Sequence, residues 1–198
     1  RKGDVEALRT LIERGADVDS KDELGRTPLH YAKDSAVAEL LVSHGADVSA
    51  KAVDAMTPLH YARDAAIAEL LISHGAKVDS RNIISDTPLH DAGSHSAPVA
   101  ALLIARGADV NVRGHSGNTP LHSVRNVAAA EVLVTKGADI HARNIYGWTP
   151  LQGVLLPRLV DLLVANGADV NTKDNDGQTP MHNTVNSYVE FDKPAVMK

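Results

Sequence analysis

The sequence predicts an all-α repeat solenoid, made of helix–turn–helix units joined by β-hairpin loops. Two periodic markers predict it. Thr-Pro occurs at Thr27, Thr57, Thr87, Thr119, Thr149 and Thr179, at intervals of 30, 30, 32, 30 and 30 residues. Gly-Ala occurs at Gly15, Gly45, Gly75, Gly107, Gly137 and Gly167 with the same intervals. Two markers in one register at such a period indicate stacked supersecondary units. The third observation is compositional: 43% of the 198 residues are hydrophobic, yet there are only one Trp, one Phe and four Tyr. Layers filled by aliphatic side chains and Ala account for that content.

The elements follow in order. Residues 1–26 form a partial N-terminal repeat, in which the stretch from Gly3 to Gly15 reads as an outer helix alone. In 27–56, Thr27 is placed as N-cap and Pro28 at the first helical position, where its missing N–H costs nothing. A short inner helix is predicted to run through about Lys33. Asp34 then caps an outer helix from Ser35 to His44, whose Val37, Leu40 and Leu41 recur at helical spacing. Gly45 ends that helix in the left-handed conformation. The stretch back to the next Thr-Pro reads as a short hairpin or an extended loop. Units 57–86, 87–118, 119–148 and 149–178 repeat the plan, with Asp64 and Asn126 as further caps. The third unit carries two extra residues between Thr87 and Gly107, at the junction of its two helices. Residues 179–198 form a partial C-terminal repeat or tail.

The string Gly-Ala-Asp-Val-(Asp/Asn), followed by Asp-x-x-Gly-x-Thr-Pro-Leu-His, resembles the ankyrin repeat. It stands here as Gly15 to His30 and, nearly intact, as Gly167 to His182. Thr-Pro-Leu-His recurs at 27, 57, 87 and 119, with Thr-Pro-Leu-Gln at 149 and Thr-Pro-Met-His at 179. The resemblance covers the chain to about Asn186. It implies L-shaped helix–helix–hairpin units stacked into a curved solenoid with a concave recognition face. It also assigns His30, His60, His90, His122 and His182 a structural hydrogen-bonding role between turns. Such repeats run about 33 residues, and most here run 30, so a shortened inner helix is expected.

Several function classes are excluded or disfavoured. The formal charge is −5, whereas nucleic-acid binders carry basic domains; no nucleic-acid partner is expected. No apolar run reaches membrane-spanning length, so no membrane insertion is expected. The absence of Cys removes disulfides, thiolate zinc sites and a cysteine nucleophile. The His off the repeat pattern are His95, His115 and His141, and no metal is expected. Serine-hydrolase, zincin and phosphate-loop motifs are absent. The domain is therefore read as non-enzymatic and without cofactor, and as monomeric. No signal peptide is visible. A cytoplasmic compartment is favoured, with delivery into another cell compatible. The chain starts at Arg1 and reads as part of something longer.

Candidate binding residues are the places where the repeat breaks. Aligned hairpin tips read Val53, Asp54, Met56; Ile83, Ile84, Asp86; His115, Ser116, Asn118; and Ile145, Tyr146, Trp148. The unit starting at Thr149 also has Leu155-Leu156 where others have Lys33-Asp34, Arg63-Asp64 and Arg125-Asn126. Large apolar side chains at solvent-reaching turns point to a covered surface, and Trp and Tyr are favoured hot-spot residues. The predicted partner-binding surface is Tyr146, Trp148, Leu155, Leu156 and Ile145, with Ile83 and Ile84 as a second apolar contact. Asp86, His115, Asn118, Arg125 and Met56 flank it. The partner is a protein or peptide. Local packing competes with this reading: Leu155 or Leu156 could turn into the space beside Gly153, and Trp148 could lie on a neighbouring hairpin or on Tyr188 and Phe191. Two other functions are retained as alternatives: a targeting or regulatory segment of a larger enzyme or effector, and a structural spacer with an intramolecular or self-association patch.

A charge ladder, Lys21, Lys51, Arg81, Arg113, Arg143 and Lys173, is expected to pair locally with Asp17, Asp47, Asp109, Asp139 and Asp169, which stand four residues before its members. Leu40, Leu70 and Leu133 are expected core positions.

Overall fold

The computed structural model describes residues 2–191, and the side chains of residues 5–185. Its α-helices are α1 (Lys2–Glu13), α2 (Ser35–Ser43), α3 (Pro58–Tyr61), α4 (Ala65–Ser73), α5 (Pro88–His95), α6 (Ala97–Ala105), α7 (Val127–Thr135), α8 (Pro157–Ala165) and α9 (Pro180–Phe191). Single 3-10 turns occupy Pro28–Tyr31, His115–Gly117 and Pro150–Gly153. The outer helices α1, α2, α4, α6, α7 and α8 pack in succession along one side.

The caps explain the register. Asp34 Oδ1 accepts the Ala36 N–H at 2.9 Å, Asp64 Oδ1 the Ala66 N–H at 2.7 Å, and Asn126 Oδ1 the Ala129 N–H at 3.1 Å. At the far end, Gly45 has φ 89°, donates to Val42 O, and lets Ala46 donate to Leu41 O. That is a Schellman closure, which needs a left-handed residue. His44 follows the last turn of α2, and its Nδ1 lies 2.8 Å from Leu40 O; His74 repeats this with Leu70 O at 2.9 Å.

Inside the stack, Leu29, Leu59, Leu89, Leu121 and Leu151 from the inner turns are buried. They face Leu41, Leu71, Leu103, Leu133 and Leu163 of the outer helices, with Ala38, Ala68, Ala100 and Ala130 closing the gaps. Four layers are one Leu pair plus Ala, and the fifth has Val160 at the Ala position, so a core forms without aromatics. Leu40 and Leu133 are buried as expected, but Leu70 is only partly buried; Leu71 beside it is the fully enclosed residue.

Four expectations need correction. First, the inner helices are shorter than predicted. The segment from Pro28 stops at Tyr31 rather than about Lys33, and the one from Pro120 is a turn without helix. The chain must leave the helix early so that Asp34 and its counterparts can adopt the extended cap conformation. The third unit, with two extra residues, affords the eight-residue α5.

Second, the hairpin loops contain no β-strand among the described residues. Each arm is too short for a ladder, and neighbouring tips are linked by one backbone bond each. Val53 N donates to Leu24 O, Ile83 N to Asp54 O, Ile145 N to Ser116 O, and Asn175 N to Tyr146 O.

Third, the charge ladder does not pair with its carboxylates. Asp17, Asp47, Asp109, Asp139 and Asp169 each accept the backbone N–H two residues on. Arg81, Arg113 and Arg143 donate instead to carbonyls of the next hairpin, at Arg113, Arg143 and Lys173, and Lys21 reaches Lys51 O at 3.5 Å. The short acidic side chains satisfy their own turns, and the long cations stitch neighbours.

Fourth, the outer helix α2 ends at Ser43, with His44 as its cap. The expected tail contacts of Tyr188 and Phe191, and the segment from residue 192 onward, lie outside the described side chains and residues.

Candidate functional site

The fingertip at Tyr146 is built by one side chain. Asn144 Oδ1 accepts the N–H of Tyr146 at 2.9 Å and of Trp148 at 3.0 Å. Asn144 Nδ2 donates to Asn118 Oδ1 at 2.8 Å. The tip is thus tied to the previous hairpin, while Ile145, Tyr146 and Trp148 point outward. Tyr146 is 54% exposed and Trp148 38%. Their rings lie 6.0 Å apart, centroid to centroid, at 52°.

Trp148 also rests on the next hairpin. Its indole Nε1–H donates to Asp174 Oδ2 at 3.0 Å, and its carbonyl accepts from His122 Nε2 at 3.0 Å. Burial pushes the Asp174 carboxyl up, but the N–H groups of Gln178, Asp176 and Trp148 outweigh it and hold the group below its ordinary value.

Behind the tip, Val154 turns inward and fills the layer beside Gly153. Leu155 and Leu156 therefore stay outside, 56% and 46% exposed. Trp148 lines a cleft of about 350 Å³ with Asn118, His122, Arg125, Pro150 and Gly153. Leu155 and Leu156 line an adjoining one of about 260 Å³ with Val124, Arg125, Gly153 and Leu159. Arg125 and Gly153 are common to both.

The other sequence candidates fall elsewhere. Ile145 and Tyr146 stand on the fingertip and line neither cleft. Ile83 and Ile84 are exposed on another tip, and Met56, half-buried, gives its carbonyl to His30. His115 is exposed. Asp86 is occupied internally: its Oδ1 accepts the His115 N–H at 2.7 Å. That bond stands where other units use a tip-to-tip carbonyl. Gly114 makes room for it, because a Cβ there would lie 2.1 Å from Asp86 Oδ1 and 2.8 Å from His90 Nε2.

The histidine slot forms a ladder. His30 Nδ1 accepts the Thr27 N–H at 3.0 Å, so its Nε2–H faces Met56 O at 3.2 Å on the next unit. His60, His90 and His122 repeat the pattern toward Asp86 O, Asn118 O and Trp148 O. Gln152 substitutes: its Oε1 accepts from Thr149 N and its Nε2 faces Gln178 O. Burial lowers all four histidine pKa values, that of His60 to about 4. Among the described residues, no three His, Asp or Glu side chains converge as an ion would require.

Sequence reasoning missed a feature at the other end. Arg26, His30, Tyr31, Ala32, Lys33, Tyr61, Arg63, Asp64 and Ile67 line a cleft of about 450 Å³. The Tyr31 hydroxyl donates to Asp22 Oδ2, Arg26 pairs with the same carboxylate at 3.2 Å, and the Arg26 guanidinium sits 4.6 Å above the Tyr31 ring. The signal was available: Tyr follows Thr-Pro-Leu-His only at 31 and 61. Asp91 holds that slot in the third unit. Burial, with Asp86 and Asp54 nearby, raises its carboxyl to about 7, and its Oδ2 is enclosed without a hydrogen-bond partner.

Comparison with known proteins agrees with this architecture. A family model described as ankyrin repeats (3 copies) matches residues 1–82, and one described as ankyrin repeat matches 85–115 and 116–145. No curated protein matches the chain. Among solved structures, the ankyrin repeat domain of Bcl-3, described as a unique member of the IkappaB protein family, is similar at 27% identity and a TM-score of 0.68. The match covers 90% of this chain and 86% of that one. With its repeat register, stacked helix pairs and histidine ladder, the chain belongs to the ankyrin repeat family, whose members are protein–protein interaction modules.

Proposed function

We propose that this domain is a non-enzymatic recognition module that binds a protein or peptide segment across its hairpin tips and inner-turn face. The contact centres on Trp148, Leu155 and Leu156, with Tyr146 and Ile145 at its outer edge. One observation carries the reading: Trp148 and the two leucines line adjoining clefts that share Arg125 and Gly153, and all three remain exposed. The leucines stay outside because Val154 has taken the interior position. Affinity comes from covering these side chains, and Arg125 and Asn118 supply polar contacts at the rim. Ile83 and Ile84 offer a second contact to a partner long enough to reach them.

The test starts from proximity cross-linking to identify the partner, followed by affinity measurements on Trp148→Ala and Leu155→Asp. Each substitution is expected to weaken binding by about 2 kcal/mol or more, roughly 30-fold. Unchanged affinity in both variants would place recognition on another surface. Light scattering on the same proteins reports self-association through the patch; a monomer is expected.

A further inference from the structure

We infer that the cleft between Tyr31 and Tyr61 is a second binding site, one that takes an acidic peptide segment. Its lining includes the apolar Ala32 and Ile67 and the two tyrosines. Three cations, Arg26, Lys33 and Arg63, line it. Lys33 and Arg63 are exposed, and neither has a hydrogen bond or ion pair among the described residues. The one carboxylate in the lining, Asp64, is committed to α4: its Oδ1 accepts from Ala66 N at 2.7 Å and from Ile67 N at 3.4 Å. Arg26 is held in place by Asp22 and stacked on Tyr31, so its position is set before any ligand arrives. Arg26 is matched by Asp22, so the cations left without a partner at this cleft, in a chain of net charge −5, are Lys33 and Arg63. The cleft volume of about 450 Å³ lies in the range of side-chain and small-ligand pockets.

The chemistry that fits is a carboxylate side chain beside an apolar one. The carboxylate would reach Lys33 and Arg63 at the rim, and the apolar group would lie on the tyrosine rings. Such electrostatic matching acts on specificity and association rate and is screened by salt. The site shares no lining residue with the clefts at Trp148, so the two surfaces can be tested separately.

The experiment uses the full chain and a fluorescein-labelled short peptide of alternating Glu and Leu. A Lys–Leu counterpart and a labelled oligouridylate serve as comparisons. Fluorescence anisotropy is expected to show binding of the Glu peptide alone, weakening with added salt. Replacing both cations, Lys33→Glu with Arg63→Glu, should weaken it by about tenfold or more, and the milder Lys33→Gln with Arg63→Gln should weaken it less. Trp148→Ala should leave it unchanged. Circular dichroism melting checks that each variant folds. Binding of the Glu peptide that survives both double variants would overturn the inference. So would absence of Glu-peptide binding, or preference for the Lys peptide or the oligouridylate.

Discussion

The indole N–H of Trp148 donates a 3.0 Å hydrogen bond to Asp174 on the following hairpin, while 38% of the residue stays open to solvent. The ring is anchored at its polar edge and partly open to solvent. An aromatic already fixed in one orientation has less freedom to lose when a partner covers it. Trp148→Phe removes the anchor and keeps an apolar face, so folding stability should fall by about 1 kcal/mol. Trp148→Ala should add a larger loss of partner affinity than of stability. Urea unfolding and titration calorimetry on the same variants separate the two. A stability loss of about 3 kcal/mol or more for Trp148→Ala, typical of a core aromatic, would make it a packing residue instead.

Two fingertips hold a non-glycine residue in the left-handed region at the position two before Thr-Pro, where the other units have glycine; a third tip holds one a residue earlier, Ser116 at φ 54°. Ala55 has φ 60° and Ser85 φ 69°, where the corresponding residues of other units are Gly25, Gly147 and Gly177 at φ 71–77°. A non-glycine residue in the left-handed region costs about 1–2 kcal/mol, partly offset by the entropy a glycine loses on folding. Ala55→Gly and Ser85→Gly should each raise stability by about 0.5–1 kcal/mol. Shifts in urea midpoint toward lower concentration would contradict this.

Gly114 shows the opposite sensitivity. A methyl there meets Asp86 Oδ1 and His90 Nε2, in a region where Asp86 holds the His115 N–H. Gly114→Ala should cost about 2 kcal/mol, as overpacking does. Asp86→Ala removes both the clashing oxygen and the hydrogen bond, so the double variant should be less damaged than the sum of the singles. Strict additivity in chemical denaturation would mean that the carboxylate is not the obstacle.

Register and caps were legible in the sequence because each repeats at a fixed spacing and has a local mechanism, and the role of the repeated histidines was legible through the resemblance to the ankyrin repeat. The shape of the inner turns was not. Pro-Leu-His-Tyr is a 3-10 turn at Pro28–Tyr31 and an α-turn at Pro58–Tyr61, since a single turn is decided by small hydrogen-bond differences. Exposure of Leu155 and Leu156 could be read from their departure from the repeat. Val154 fills the layer in the same register slot that Ala62 and Val124 fill in their units, five residues after the Thr of Thr-Pro. The cleft lined by Tyr31 and Tyr61 arises from the stacking of two neighbouring units, which no single repeat spells out.

The pH dependence of stability should have two opposing components in one window. In the ladder, Nδ1 of each histidine must accept a threonine N–H, which a protonated ring cannot do. His60 falls from 6.5 to about 4 on folding. An unfolded histidine therefore takes up its proton first, and the contribution of His60 is complete above about pH 6.5 and lost as pH falls toward 4; His30, His90 and His122 act in the same direction. For His60 this amounts to something on the order of 3 kcal/mol. Asp91 works in the other direction: its folded pKa is raised from 3.8 to about 7. Its contribution is complete below the unfolded value and disappears as pH rises through about 7. Substitutions separate the two. His60→Gln, which reproduces the arrangement of Gln152 and Thr149, should flatten the acid loss of stability. Asp91→Asn should stabilise the protein more at about pH 8 than at about pH 5. Urea midpoints for the wild type and both variants across this range provide the check. If His60→Gln leaves the acid slope intact, His60 is not its source; if Asp91→Asn gains equally at both ends, burial of the amide and not the charge explains the gain.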